Sequence, residues 1–194
     1  MAEINELVKE IGDAISIGEG NYESYNTGTK GVLGGKVGHS YINRPVGTVT
    51  GKTINQILAT SVLSGKDPSR LFCTGKYQTI IPTLKSARDQ LGLTGDEFYN
   101  ADLQERVFRE FLLPKAGGGK LAAFIFNAIG SVDDAQYAAA KEWASIGVPT
   151  GRRDMNGMVS DGFRSYYEKA GTNSASRSAT RTLRSLLLEI DEVR

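Results

Sequence analysis

The sequence predicts an α+β protein that is mostly helical, and three observations carry that prediction. Apolar residues recur at three-and-four spacing through long parts of the 194-residue chain, the pattern of helices with one buried face. Residues 21–53 lack this period and are dense in glycine (Gly28, Gly31, Gly34, Gly35, Gly38, Gly47, Gly51), with Pro45 among them. They read as loops with a small hairpin around 37–42, too polar to build a core alone and suited to wall a cleft. No internal repeat and no boundary between two cores is visible, so the chain reads as one domain.

The elements follow in order. Ile4, Leu7, Val8, Ile11 and Ile15 share one face of a first helix, and Glu3 and Glu6 suit its positive end. Gly18-Glu19-Gly20 stops that helix and places Glu19 at its C-terminal end or just beyond. Residues 54–63 form a short apolar helix. Pro82 starts a helix that reaches Leu91 and ends at Gly92. Thr94 and Glu97 have the spacing of a capping box and predict another short helix at once. Leu103, Val107, Phe108, Phe111 and Leu112 mark the next apolar face, which Pro114 should stop. Residues 121–129 are apolar nearly all round and predict a central helix; 135–146 predict its neighbour. A helix over 158–170, closed by Gly171, comes next. The Ser/Thr-rich stretch 172–178 then leads into a last helix carrying Leu183, Leu186, Leu187 and Ile190.

Composition narrows the function. Lys and Arg total 23 against 22 Asp and Glu, a net charge of +1 that gives no general attraction to nucleic acid or anionic membranes. Cys73 is the single cysteine, which excludes an internal disulfide, and His39 is the single histidine, which excludes a zinc cluster of Cys and His. No apolar run approaches a membrane span. The start, MAEINELVKE, lacks the basic and then apolar segments of a secretory signal, and the absence of a disulfide fits synthesis in a reducing cytoplasm.

Several motifs fail on inspection. The run from Gly47 to Thr53, ending Gly51-Lys52-Thr53, is one residue short of a phosphate-binding loop, and Gly117-Gly118-Gly119-Lys120 lacks the Ser or Thr that should follow. His39-Ser40 has no nucleophile elbow around it. Cys73, beside Leu71 and Phe72, reads as a small buried residue. Arg177, Arg181 and Arg184, and separately Arg152 and Arg153, form basic faces that are solvated or weakly attractive to an anionic glycan or partner.

Four segments carry chemistry. Glu19 is followed by Asn21-Tyr22-Glu23-Ser24-Tyr25. A carboxyl group at a helix C-terminus meets unsatisfied carbonyls that disfavour its charged form, and cover by Tyr22 or Tyr25 adds to this. Both effects suit a general acid working near neutral pH. The second segment, Gly75-Lys76-Tyr77-Gln78, offers close backbone approach, an aromatic face and an amide, which match the rings and acetamido groups of N-acetylated sugars. Trp143-Ala144-Ser145 and Ser165-Tyr166-Tyr167 are the third and fourth.

In this order the segments resemble the lambda-endolysin-like lytic transglycosylases of the lysozyme-like superfamily, a pattern shared with phage-like bacteriocin lysozymes and peptidoglycan effectors of type VI secretion. The likeness spans the first helix to about Gly171. It implies a lysozyme-like catalytic domain over 1–171 with a small loop and hairpin lobe beside the cleft. Residues 172–194 would be a connection and a helix packed on the same domain. It implies cleavage of the β-1,4 bond between N-acetylmuramic acid and N-acetylglucosamine in peptidoglycan, with Glu19 as catalytic acid and then base, giving a 1,6-anhydro product. Tyr77 and Gln78 match glycan-contacting positions; Tyr22, Tyr25, Lys76, Trp143 and Tyr166 (or Tyr167) join them as candidate substrate contacts. No cofactor and no metal is implied.

The chain departs from the pattern in places. Residues 20–74 have their own sequence, and Thr79-Ile80-Ile81-Pro82 only loosely matches the usual Gln-x-x-Pro. Glu23 is a second carboxylate near Glu19, either left in solvent or, across the scissile bond, a partner for hydrolysis. A hydrolytic muramidase on the same scaffold therefore stands beside the transglycosylase, and a non-catalytic peptidoglycan-binding protein beside both. A chitinase ranks lower. The substrate lies outside the cytoplasmic membrane, so a holin-type pore, lysis or injection must deliver the protein to the periplasm. An injected effector needs an inhibitor protein in the producing cell. A monomer is expected.

Overall fold

The structure is a computed structural model that describes residues 2–29, 47–169 and 174–192. In chain order the elements are helix α1 (Ala2–Glu19), strand β1 (Tyr25–Asn26), helix α2 (Ile54–Ala59) with a 3₁₀ turn at Thr60–Val62, and strands β2 (Cys73–Thr74) and β3 (Thr79–Ile80). Helices α3 (Ile81–Gln90) and α4 (Ala101–Val107) follow, then a π-helical turn at Phe108–Leu112. The chain continues with α5 (Leu113–Lys115), α6 (Lys120–Asn127), α7 (Val132–Glu142) and α8 (Arg177–Glu192). The fold is α+β and mostly helical, with one small antiparallel sheet. Among the described residues no helix is long and apolar enough to cross a membrane.

The chain forms two compact units, 1–19 with 112–194, and 20–111. In the first, Val8, Ile11 and Ile15 of α1 are buried, as the three-and-four spacing predicts, and so are Leu183, Leu187 and Ile190 of α8. These two helices pack on each other. Burying a leucine fully stabilises by about 1.5–3 kcal/mol, so this seam is a main source of the unit's stability. Helix α7 meets both α6 and α8, and its buried Ala135, Ala138, Ala139 and Ala140 provide a low-relief surface for close approach.

In the second unit the strands form a meander in the order β1-β2-β3, with Tyr25 opposite Thr74 and Cys73 opposite Ile80. The core holds Ile54 and Ile57 of α2, Leu84 and Ala87 of α3, Tyr99, and Val107 and Phe108. Thr53 caps α2: its hydroxyl accepts the Gln56 N–H while the Gln56 side chain accepts the Thr53 N–H. Pro82 lies in the first turn of α3, where its missing N–H costs nothing.

Four sequence expectations are corrected. Residues 158–169 form no helix. The buried Asp154 carboxylate accepts the Asn156 and Met158 N–H groups and pairs with Arg164 at 2.6 Å, while Gly157 and Gly162 adopt positive φ. These local bonds and bridges from Arg153 to Val159 and Gly147 to Ser165 fold the segment back on 147–153. Pro114 does not end its helix, because the π turn before it widens the backbone where a proline would otherwise clash. Glu97 bonds back to the Thr94 and Gly95 N–H groups, yet the next helix starts only at Ala101, capped by Asn100. Helix α6 is not buried all round: Phe126 and, just past its end, Ile129 are exposed. The hairpin expected at 37–42 and His39 lie outside the described residues.

Candidate active site

Glu19 is the last residue of α1, where Gly20 follows at φ 144. It is 9% exposed, and its Oε1 accepts the backbone N–H of Ser145 at 3.1 Å. Helix α7 ends at Glu142 because the chain turns extended at Trp143. That turn carries Trp143-Ala144-Ser145 to the end of α1, so two motifs 126 positions apart meet at one hydrogen bond. The approach is close enough to exclude a side chain. A Cβ on Gly18 would lie 2.4 Å from the Ser145 Cβ. The Ser145 carbonyl accepts the Ser176 N–H at 2.7 Å, just before α8, and Thr180 Oγ1 accepts the Gly147 N–H at 2.8 Å. The peptide segment that holds Glu19 is therefore itself held by the start of the last helix.

Trp143 is only 3% exposed. Its role as a glycan contact is corrected to that of a buried residue where the chain leaves α7. Tyr166 is half-buried, edge-on to Tyr137 and Tyr167, with the Lys141 ammonium 5.6 Å from its ring centroid. Tyr167 donates its hydroxyl to the Lys141 carbonyl.

The second unit gathers the other motifs around a residue that no motif announced. The Glu105 carboxylate accepts three donors: Tyr22 Oη at 2.7 Å, Lys76 Nζ at 2.7 Å and Tyr77 Oη at 2.8 Å. Lys76 Nζ lies 5.3 Å from the ring centroids of both Tyr22 and Tyr77, and Tyr77 stacks on Phe108. Burial and the adjacent Glu105 carboxylate raise the Tyr22 phenol above its ordinary pKa. Next to Glu105, the fully buried Gln104 accepts the Lys76 N–H and donates to the Tyr22 and Tyr99 carbonyls. A Cβ on Gly75 would strike the Gln104 Oε1 at 2.4 Å, and Gly75 also needs its φ of 80. Glycine is therefore demanded twice at the start of the Gly75–Gln78 turn.

These contacts sort the expected substrate residues. Tyr25 (1% exposed), Lys76 (6%) and Tyr77 (2%) are buried, so their assignment as glycan contacts is corrected to that of structural supports. Tyr22 and Gln78 keep part of their surface open. Gln78 adopts φ 44, unusual outside glycine, and its amide donates to the Gly75 carbonyl while accepting from the Cys73 thiol. Glu23 is not left in solvent: its carboxylate accepts the Val49 N–H at 2.6 Å and the Thr50 N–H and hydroxyl. It occupies the very amides that a phosphate loop would need, which closes the nucleotide reading of 47–53 on physical grounds.

Gln104 did leave a trace in the sequence. It shares a helical face with Val107, Phe108 and Phe111, so it is a polar residue at a core position and needs partners. Glu105 left none. Among the described residues no three His, Cys, Asp or Glu side chains are grouped to hold a metal ion. Comparisons with protein-family models, curated proteins and solved structures returned no match to this chain.

Proposed function

We propose that the protein is a peptidoglycan-cleaving glycosidase with a lysozyme-like catalytic fold, acting as a lytic transglycosylase through Glu19. The observation that carries the reading is the Glu19 carboxyl group, largely withdrawn from water at the end of α1 and oriented by the Ser145 N–H. A group that must give a proton and then take one back has to stay in one place through both steps.

Protonated Glu19 donates to the oxygen bridging N-acetylmuramic acid and N-acetylglucosamine as the bond to the muramoyl anomeric carbon breaks. The carboxylate so formed accepts the proton of the muramoyl 6-hydroxyl, whose oxygen closes on that carbon. A 1,6-anhydro ring results, Glu19 is protonated again, and no water is consumed. The exposed parts of Tyr22 and Gln78 are the glycan contacts in this reading. The Glu105 carboxylate holds the Tyr22 hydroxyl, and the Gly75 carbonyl holds Gln78. Delivery to the periplasm by a pore, lysis or injection belongs to the same proposal, as does an inhibitor in the producing cell if injection is the route.

Mass analysis of fragments released from purified peptidoglycan tests it, with the wild type and Glu19→Gln side by side. Fragments one water lighter than reducing-end muropeptides, absent with the variant, are expected. Full-mass reducing ends would replace the transglycosylase with a hydrolase. No fragments from the wild type would leave a binding protein.

A further inference from the structure

Residues 159–168 and the start of α8 enclose a recess of about 410 Å³ lined by Asp161, Phe163, Arg164, Glu168 and Arg177, a size usual for ligand sites. The Arg177 guanidinium stands 4.7 Å from the Phe163 ring centroid, and Arg181, one turn further along α8, stands 5.4 Å from it. Both arginines are exposed. Elsewhere in this unit Arg152 pairs with Asp134, Arg164 with Asp154 and Glu168, and Arg184 with Asp133. Arg177 and Arg181 have no carboxylate partner among the described residues. Two cations converging on one ring repel each other, and the ring face offsets only part of that. Helix stability does not explain Arg177 either, since a cation in the first turn opposes the helix dipole and that turn holds no acid. Across the same lining, Asp161 accepts the Phe163 N–H on Oδ1 and attracts the Arg164 guanidinium, but makes no direct ion pair among the described residues.

The recess thus has Arg177 on its lining and Arg181 beside it, two guanidiniums with no carboxylate partner among the described residues. Across from them the Asp161 carboxylate keeps one oxygen for a cation. The set is a match for a ligand with several carboxylates and one ammonium. Its position supplies the source. Ser176, between lining residues Ala175 and Arg177, donates to the Ser145 carbonyl, and Ser145 donates to Glu19. Two hydrogen bonds and one residue's span keep the Ser176 N–H, the backbone link between those two lining residues, within about 10 Å of the Glu19 carboxyl group. The geometry points to a subsite for the acidic stem peptide of peptidoglycan, with Arg177 and Arg181 binding its carboxylates and Asp161 its diamino-acid ammonium. This rests on the peptidoglycan reading above, in which the stem hangs from the muramoyl sugar whose anomeric carbon reacts.

The test uses a stem tetrapeptide released from purified peptidoglycan by an amidase, titrated into the full-length wild type and an Arg177→Gln/Arg181→Gln variant whose folding is checked by its Tm. Both changes are on exposed side chains in helix-compatible form. Saturable binding that weakens about tenfold or more in the variant is expected, as is weakening by added salt. Polyglutamate, an acidic polymer without the ammonium, should bind the wild type clearly less well than the stem. In parallel, the ratio of cleavage rates on stem-bearing and amidase-stripped strands should fall toward one in the variant. No saturable stem binding, equal binding by the variant, or equal binding of polyglutamate overturns the subsite. Stem binding without any strand cleavage would instead sink the glycosidase reading and leave the subsite standing.

Discussion

At the scale of single residues, Gly18 is the sharpest constraint on the candidate site. Alanine is favoured over glycine inside a helix by about 1 kcal/mol. Here the added methyl would sit 2.4 Å from the Ser145 Cβ, so one chain must move. Overpacking costs about 1–3 kcal/mol, which outweighs the propensity gain. Gly18→Ala should therefore lower Tm and slow fragment release, because the Ser145 N–H leaves Glu19. An alanine variant with both unchanged would show that this contact positions nothing. Glu97 makes a separate case. Hydrogen bonds from the backbone, first that of Thr94, lower its carboxyl from 4.5 to about 2. A depressed folded pKa adds stability that is complete above 4.5 and is lost as pH falls from there through about 2. Thermal denaturation across that window should show a shallower acid loss for Glu97→Gln than for the wild type; parallel curves would refute the linkage.

At the scale of elements, Glu23 does structural work that its place in the sequence hides. Its carboxylate collects the Val49 and Thr50 amides just ahead of α2 and so fixes the turn leading to the Thr53 cap. Hydrogen bonds to a charged acceptor are worth about 1.5–3 kcal/mol each at most, so Glu23→Ala should destabilise by about that much. The mass of the released fragments should stay the same. A switch to full-mass reducing ends would give Glu23 a chemical role instead. The same scale explains where sequence patterns misled. Glu97 accepts the Thr94 N–H as the spacing predicts, but the Thr94 hydroxyl takes the Asp96 N–H instead of the Glu97 N–H, and the pair closes a turn rather than opening a helix. Met158 to Tyr167 carries enough apolar residues to suggest a helix, yet the Asp154 carboxylate and two positive-φ glycines give its backbone better local partners.

At the scale of the molecule, the first unit is discontinuous in sequence: α1 is separated from its packing partner α8 by the whole of the second unit. Truncating either apolar face should be costly. Leu183→Ala and Leu187→Ala, both fully buried, should each destabilise by about 2–5 kcal/mol in denaturant unfolding. A fragment covering 112–192 should not unfold cooperatively by itself, because the face of α8 that rests on α1 would be bare. Adding a peptide of residues 2–19 should restore helical signal and a cooperative transition. A fragment that folds without the peptide would mean that α1 is dispensable to this core.

The sequence by itself determined the helices with strong period and clean ends: α1 with its stop at Glu19, α3 from Pro82, and the apolar face of α8. It also marked Glu19 and Ser145 as members of separate motifs. These features depend on neighbours in the chain, where side-chain period, caps and glycines act directly. Only the tertiary structure decided that Ser145 holds Glu19, that Tyr22, Lys76 and Tyr77 all turn to Glu105, and that Arg177 and Arg181 share the Phe163 ring with no carboxylate partner among the described residues. Each of those is a hydrogen bond or charge contact between distant segments, and the packing of the core, not the local pattern, sets which distant groups come within reach.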